Sequence, residues 1–102
     1  MSDLLDSDGY PRPKTLTRIK QWKAGDSIAL MEYVKSVWRY ADCGYWQERD
    51  EEGCRMYEIS TGGWSGNEEI IQAMKANHIF WMVNWLSSRR GGHYVFKVGG
   101  LK

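Results

Sequence analysis

The chain has 102 residues and a net charge of +1, from 14 Lys and Arg against 13 Asp and Glu. That length allows one hydrophobic core, and that balance excludes both a polybasic duplex-DNA binder and an acidic DNA mimic. Apolar residues make up 42% and charged residues 26%, an ordinary globular mixture with no run long enough to span a bilayer and an acidic start unlike a secretory signal.

The aromatic content stands out: six Trp and six Tyr accompany only two Phe. Charge is also unevenly placed. Residues 1–9, 10–39, 40–69 and 70–102 carry net charges of −3, +5, −6 and +5. Such blocks place oppositely charged segments side by side, or turn them toward different solvent faces.

Residues 1–14 hold both prolines and no periodicity, and read as a mobile N-terminal arm ahead of a single α+β domain over 15–102. Leu16, Ile19 and Trp22 then suggest a brief helix within 15–23, ended by Gly25. Asp26 is placed to cap a longer helix over 27–41, whose stripe is Ile28, Met31, Val34, Trp38 and Ala41, stopped by Gly44. Beyond Gly44 the period changes to two. Tyr45–Glu48 and Arg55–Ile59 flank the acidic tip Asp50-Glu51-Glu52-Gly53, a hairpin signature.

Thr61-Gly62-Gly63-Trp64-Ser65-Gly66 is a loop. Ser65 and Glu68 fit a capping box opening a helix with Ile70, Ile71, Met74 and His78, and Asn77 suits its C-terminal end. Residues 79–88 suit either a buried helix or a strand; the alternation of Trp81, Val83 and Trp85 favours a strand. Arg89-Arg90-Gly91-Gly92 supplies a turn and 93–98 a returning strand. The expected fold is α+β: an antiparallel four-stranded sheet of two hairpins under about three helices, in the order α-α-β-β-α-β-β.

Chemistry-bearing patterns are sparse. His78, His93, Cys43 and Cys54 form no metal-ligand spacing, so no metal site and no cofactor is expected, and the two cysteines read as ordinary thiols. Ser65 sits in Gly-Trp-Ser-Gly, but the nucleophile elbow needs Gly where Asn67 stands, and no Asp follows Ser65. Capping explains this serine more economically, and no catalytic residue is assigned. Glu68 and Glu69 bring negative charge to the first turn of the helix, which disfavours phosphate and suits Arg89 or Arg90. Trp38, Trp81 and Trp85 read as core. Trp64, set among glycines, is either a plug over the core edge or an exposed recognition group.

The stretches TGGWSGNEEII (Thr61–Ile71) and SRRGGHYVF (Ser88–Phe96), with Phe80, Trp81 and Trp85 between them, resemble a family of small bacteriophage proteins. Members carry an STGGWSGNE loop and an SRRGGHY segment. The likeness extends upstream to Ile19–Trp22, Met31–Val34 and Trp38, and so covers roughly residues 15–98. It implies a phage-encoded protein working in the cytoplasm of the infected bacterium, and brings no activity, substrate or cofactor. By position, Thr61, Trp64, Ser65, Asn67, Glu68, Arg89, Arg90 and His93 become candidates for a shared site, with Glu69 added as a possible arginine partner.

The leading functional expectation is a non-enzymatic accessory protein that binds a host or phage protein, in host takeover or counter-defence. A small-ligand binder is the first alternative, with Trp64 stacking on a nucleotide base and Arg89 and Arg90 meeting phosphate. A nucleic-acid-binding module using the basic 70–102 segment is the second. No membrane partner is expected.

Overall fold

Two stretches of period-two alternation build the sheet. The computed structural model describes residues 4–23, 25–41 and 44–99. In it, β1 (Trp46–Glu51) and β2 (Cys54–Ser60) form one hairpin, and β3 (Trp85–Arg89) and β4 (His93–Gly99) form the other. All pairings are antiparallel and the strand order is β1-β2-β4-β3. The first turn needs a left-handed backbone at two successive residues. Glu52 (φ 52°) and Gly53 (φ 82°) supply it, the geometry that follows strand twist most closely.

Register assigns the faces. Trp46 pairs with Ile59, Ile59 with Tyr94, and Tyr57 with Phe96; these residues join the hydrophobic core. The residues between them, Met56, Glu58, Val95 and Lys97, take the opposite face. Met56 and Val95 are buried there without belonging to the core cluster.

Four helices cover the inner face: α1 (Pro13–Lys20), α2 (Ser27–Val37), α3 (Ser65–Ala76) and α4 (His78–Asn84). Ile19, Leu30, Met31, Val34, Ile70, Ile71, Met74 and Phe80 bury their side chains against Tyr57, Ile59, Phe96 and Val98. Each large apolar side chain contributes about 1.5–3 kcal/mol. The expected α+β fold and antiparallel two-hairpin sheet are therefore present, with α4 as an added helix.

Several boundaries differ from the sequence expectations. The first helix begins at Pro13, where a proline at the first helical position sacrifices no hydrogen bond. The second stops at Val37, well short of 41: Trp38 is extended and Tyr40 takes φ 65°. Met31, Val34 and Trp38 are buried as expected, whereas Ile28 is exposed. Asp26 holds the N-cap position without a side-chain capping bond.

The largest difference lies in 79–88. Its first half is helical and only Trp85–Arg89 is strand. Asn77 is the physical reason. Its Oδ1 accepts from the Phe80 N–H, restarting a helix straight after α3, while its Nδ2 donates to the carbonyls of Ile19 and Trp22. Trp81 thus lies on a helix, partly buried and stacked on Trp85 with centroids 6.0 Å apart, and Trp85 and Val83 are exposed rather than core.

Residues 4–12 fold back on the body. The Asp6 carboxylate accepts from the N–H groups of Asp8 and Tyr10, Leu5 bridges Pro11, and the Thr15 hydroxyl donates to the Leu4 carbonyl. Residues 1–3 of the expected arm, and Cys43, lie outside the described residues. Cys54 is a free, partly buried thiol.

Candidate functional site

The two motif segments meet through backbone. The Thr61 N–H donates to the Gly92 carbonyl at 3.0 Å. A Cβ at Gly92, which has φ 80°, would overlap the Thr61 hydroxyl, so glycine is required there. The Thr61 hydroxyl accepts from the Gly63 N–H, and its carbonyl accepts from Asn67 Nδ2. Thr61 and Asn67 are almost wholly buried. They fix the loop and present nothing to a ligand.

Trp64 is also engaged. The Tyr10 ring lies 4.7 Å away, the Arg39 guanidinium 4.6 Å from its centroid, and a Cβ on Gly66 would run into the indole. This is packing of the plug kind, with aromatic and cation–π contacts already filled. Ser65 is not a cap. It is the first residue of α3, Trp64 holds the N-cap position, and the Ser65 hydroxyl instead hydrogen-bonds the Tyr10 hydroxyl at 3.0 Å.

Arginines 89 and 90, expected as partners of Glu68 or Glu69, are both exposed. Among the described residues neither pairs with Glu68, on the first turn of α3, or with the next residue Glu69, both of which are exposed. Arg89 instead stands opposite His93 on the open sheet face. There His93 Nε2 is 3.7 Å from Glu58, and Arg49 reaches the same carboxylate at 2.7 Å. The Arg49 hydrogen bond chiefly holds Glu58 below its ordinary range, with the charges of His93 and Arg89 adding. Of the nine candidates, Thr61 and Asn67 are thus buried in the loop and Trp64 is packed against Tyr10 and Arg39, while Arg89 and His93 stand together on the open sheet face. Among the described residues, no group of three or more His, Cys, Asp or Glu is placed to hold a metal ion, and no helix is long and apolar enough to cross a membrane.

A different surface has the properties of a binding face. Ile79, Met82, Val83, Trp85 and Leu86 are all exposed, with Met82 at 78% and Val83 at 70%. Solvent-facing apolar residues are unremarkable singly, but here five of them fall within eight residues of α4 and β3. Beside it, a cavity of about 160 Å³ opens between α4 and the start of α2. Leu30, Phe80 and Asn84 are its buried members, and Ile79, Val83, Ser27 and Lys23 also line it. The helical period of this segment was the available signal: Phe80 and Asn84 share the buried side, and the apolar remainder must face outward.

The two sheet edges contrast. The β1 edge is lined with charge: Glu48 is held by Lys35 at 3.1 Å, Arg55 at 3.1 Å and the Trp46 indole N–H at 2.8 Å, and Arg55 also binds Asp50. Charge of this kind blunts an edge against further pairing. The β3 edge carries Leu86, Ser87 and Ser88 instead. Positive charges flank these elements: Lys75 lies 5.6 Å from the Trp81 centroid, Lys23 lines the cavity, Arg89 ends β3 and Arg90 follows it. Comparison with protein-family models, curated proteins and solved structures finds no match to this chain.

Proposed function

We propose that this protein is a non-enzymatic binding module whose α4–β3 face docks a partner protein. The exposure of Met82 and Val83 beside a cavity of one side chain's size carries this reading. Interfaces concentrate their energy in an apolar anchor that fills such a pocket, inside a polar rim. The rim here is basic, through Lys23, Lys75, Arg89 and Arg90, so the fitting partner presents an apolar anchor within an acidic surround. The resemblance to small bacteriophage proteins supports a host or phage protein as that partner, met in the cytoplasm of the infected bacterium. Trp64 with Arg89 and Arg90 is the weaker reading as a nucleotide site, because Tyr10 and Arg39 already occupy the indole.

The test is affinity capture from infected bacterial lysate with the parent, Met82→Asp and Val83→Asp, followed by titration of the isolated captured protein. Both side chains are exposed, so both variants should fold as the parent does. The expected result is one stoichiometric protein with a net acidic binding surface, lost in both variants. Capture that survives both substitutions overturns the reading. So does a parent dimer that both substitutions dissociate, because a second copy would then cover the face.

A further inference from the structure

A second cavity lies elsewhere, along α1 and the start of α2, and has a volume of about 850 Å³. Ligand sites fall in this size range. Three cations line it, Lys14, Arg18 and Lys23, with two aromatic rings, Trp22 and Tyr33. Asp26 is the one acid of the lining among the described residues. Among the described residues none of the three cations is ion-paired, although other bases of the chain, such as Arg49 and Arg55, are neutralised by carboxylates.

The aromatic pair fixes the central cation. Trp22 and Tyr33 have centroids 5.1 Å apart, and the Arg18 guanidinium lies 4.9 Å from the first and 5.6 Å from the second. The Trp22 indole is itself anchored, donating to the Asp26 carbonyl at 3.0 Å. A guanidinium positioned over two rings in this way offers a planar cationic group on which a base can stack. Lys14 is one helical turn before Arg18 on the same side of α1, within reach of phosphate attached to a stacked base. The Asp26 side chain makes no capping bond, which leaves a carboxylate to accept from an exocyclic amine.

We infer that this groove binds a nucleotide unit, with the base on Arg18 and the phosphate between Lys14 and Lys23. Stacking and phosphate pairing together distinguish this chemistry from simple attraction of acidic protein. The groove is separate from the α4–β3 face, although Lys23 lines both cavities. A free nucleotide and a nucleotide within a single strand present the same groups.

The experiment titrates the full chain with adenosine diphosphate, with a short single-stranded DNA and with polyglutamate, using calorimetry and the NMR shifts of α1. Saturable binding of adenosine diphosphate identifies a free nucleotide as ligand, and binding of the strand alone identifies nucleic acid; either supports the site. Lys14→Glu, at an exposed position, should keep the parent melting temperature and weaken binding by about tenfold or more. Arg18→Lys keeps the charge but removes the plane, and should weaken nucleotide binding as well. Absence of saturable nucleotide binding, binding unaltered in both variants, or polyglutamate binding as tight as the nucleotide overturns the inference. Substitutions at Met82 and Val83 should leave nucleotide binding intact, so failure here is separable from failure of protein docking.

Discussion

Asn67 closes both polar ends of Arg39. Its Oδ1 accepts from the Arg39 N–H at 3.0 Å, and its Nδ2 donates to the Arg39 carbonyl at 3.2 Å. The side chain therefore does for one residue what a neighbouring strand does for a ladder, and it is fully buried while doing so. It also sets Arg39 where the guanidinium can lie over Trp64.

Replacing Asn67 by Ala would strand the Arg39 N–H and carbonyl together. A buried polar group left unpaired costs about 1–3 kcal/mol, so Asn67→Ala should lose about 2–4 kcal/mol in urea unfolding. The near-UV circular dichroism of Trp64 should weaken as well. Asn67→Asp keeps the acceptor but turns a buried negative charge toward two carbonyls, and should be no better than Ala. A loss below about 0.5 kcal/mol in Asn67→Ala would mean that water replaces both bonds.

The elements built on periodicity were legible in the sequence. Strand alternation at 46–60 and 93–98, and the Met31, Val34, Trp38 stripe, follow from which residues must leave water. What was hidden depends on single polar side chains that act across the chain. Asn77 reaches Ile19 and Trp22, more than fifty residues away in sequence, and no local pattern announces that it restarts a helix. The exposed apolar residues of α4 were hidden for the same reason: a strand reading of IFWMVNW groups Trp81 with Val83, whereas a helical one turns Val83 to solvent. Thr61 and Asn67 were read by position as candidates for a shared binding site, and both side chains are buried in bonds within the fold.

Ser65 provides a direct measure of this difference. A capping serine would cost about 0.5–2 kcal/mol when replaced by Ala. The observed bond joins two hydroxyls, Ser65 and Tyr10, at a partly exposed position. Ser65→Ala should therefore change stability by less than about 0.5 kcal/mol. Tyr10→Ala should cost more, about 1 kcal/mol, because it also removes the ring packed on Trp64. Equal losses in the two variants, measured by urea unfolding, would return the serine to a capping role.

Gly66 tests the same corner from below. Its φ is not positive, so alanine would be compatible with α3 and would gain helix propensity. A Cβ there nevertheless meets the Trp64 indole. Gly66→Ala should destabilise by about 1–3 kcal/mol, and shortening the indole in Trp64→Leu should relieve that cost. The double-mutant cycle should show a coupling of at least about 0.5 kcal/mol. Additive losses would mean that Trp64 does not pack on the glycine.

Acid should weaken the β1 edge. Burial opposes the charge on Glu48, but the Trp46 indole, Lys35 and Arg55 outweigh it and hold the carboxyl below its ordinary 4.5. Glu58 is likewise lowered, chiefly by Arg49. A lowered carboxylate stabilises the fold above its unfolded value, and that contribution disappears as pH falls through the lower folded value. The stability–pH curve should thus fall on acidification below about 4.5. Glu48→Gln should start from a lower stability at neutral pH and fall less steeply. A parallel acid limb in parent and variant would remove Glu48 from the linkage.

Tyr57 sets the alkaline limit. Its hydroxyl is buried with no hydrogen-bond partner among the described residues. Burial first, and then the charge of Glu48, push its pKa up to about 12 from an ordinary 10.0. Here the folded value is the higher one, so the contribution is complete below pH 10 and is lost as pH rises toward 12. Tyr57→Phe removes both effects. It deletes an oxygen that forms no bond while keeping the ring that pairs in register with Phe96 and lies 5.9 Å from the Trp46 ring. The variant should match the parent at neutral pH or exceed it by up to about 1–2 kcal/mol, and should lose less stability between pH 10 and 12. Tyrosinate absorbance should show one fewer late-titrating phenol in the folded variant. A loss of more than about 1 kcal/mol at neutral pH would mean that the hydroxyl is hydrogen-bonded in solution, with Arg55 or a buried water as its partner.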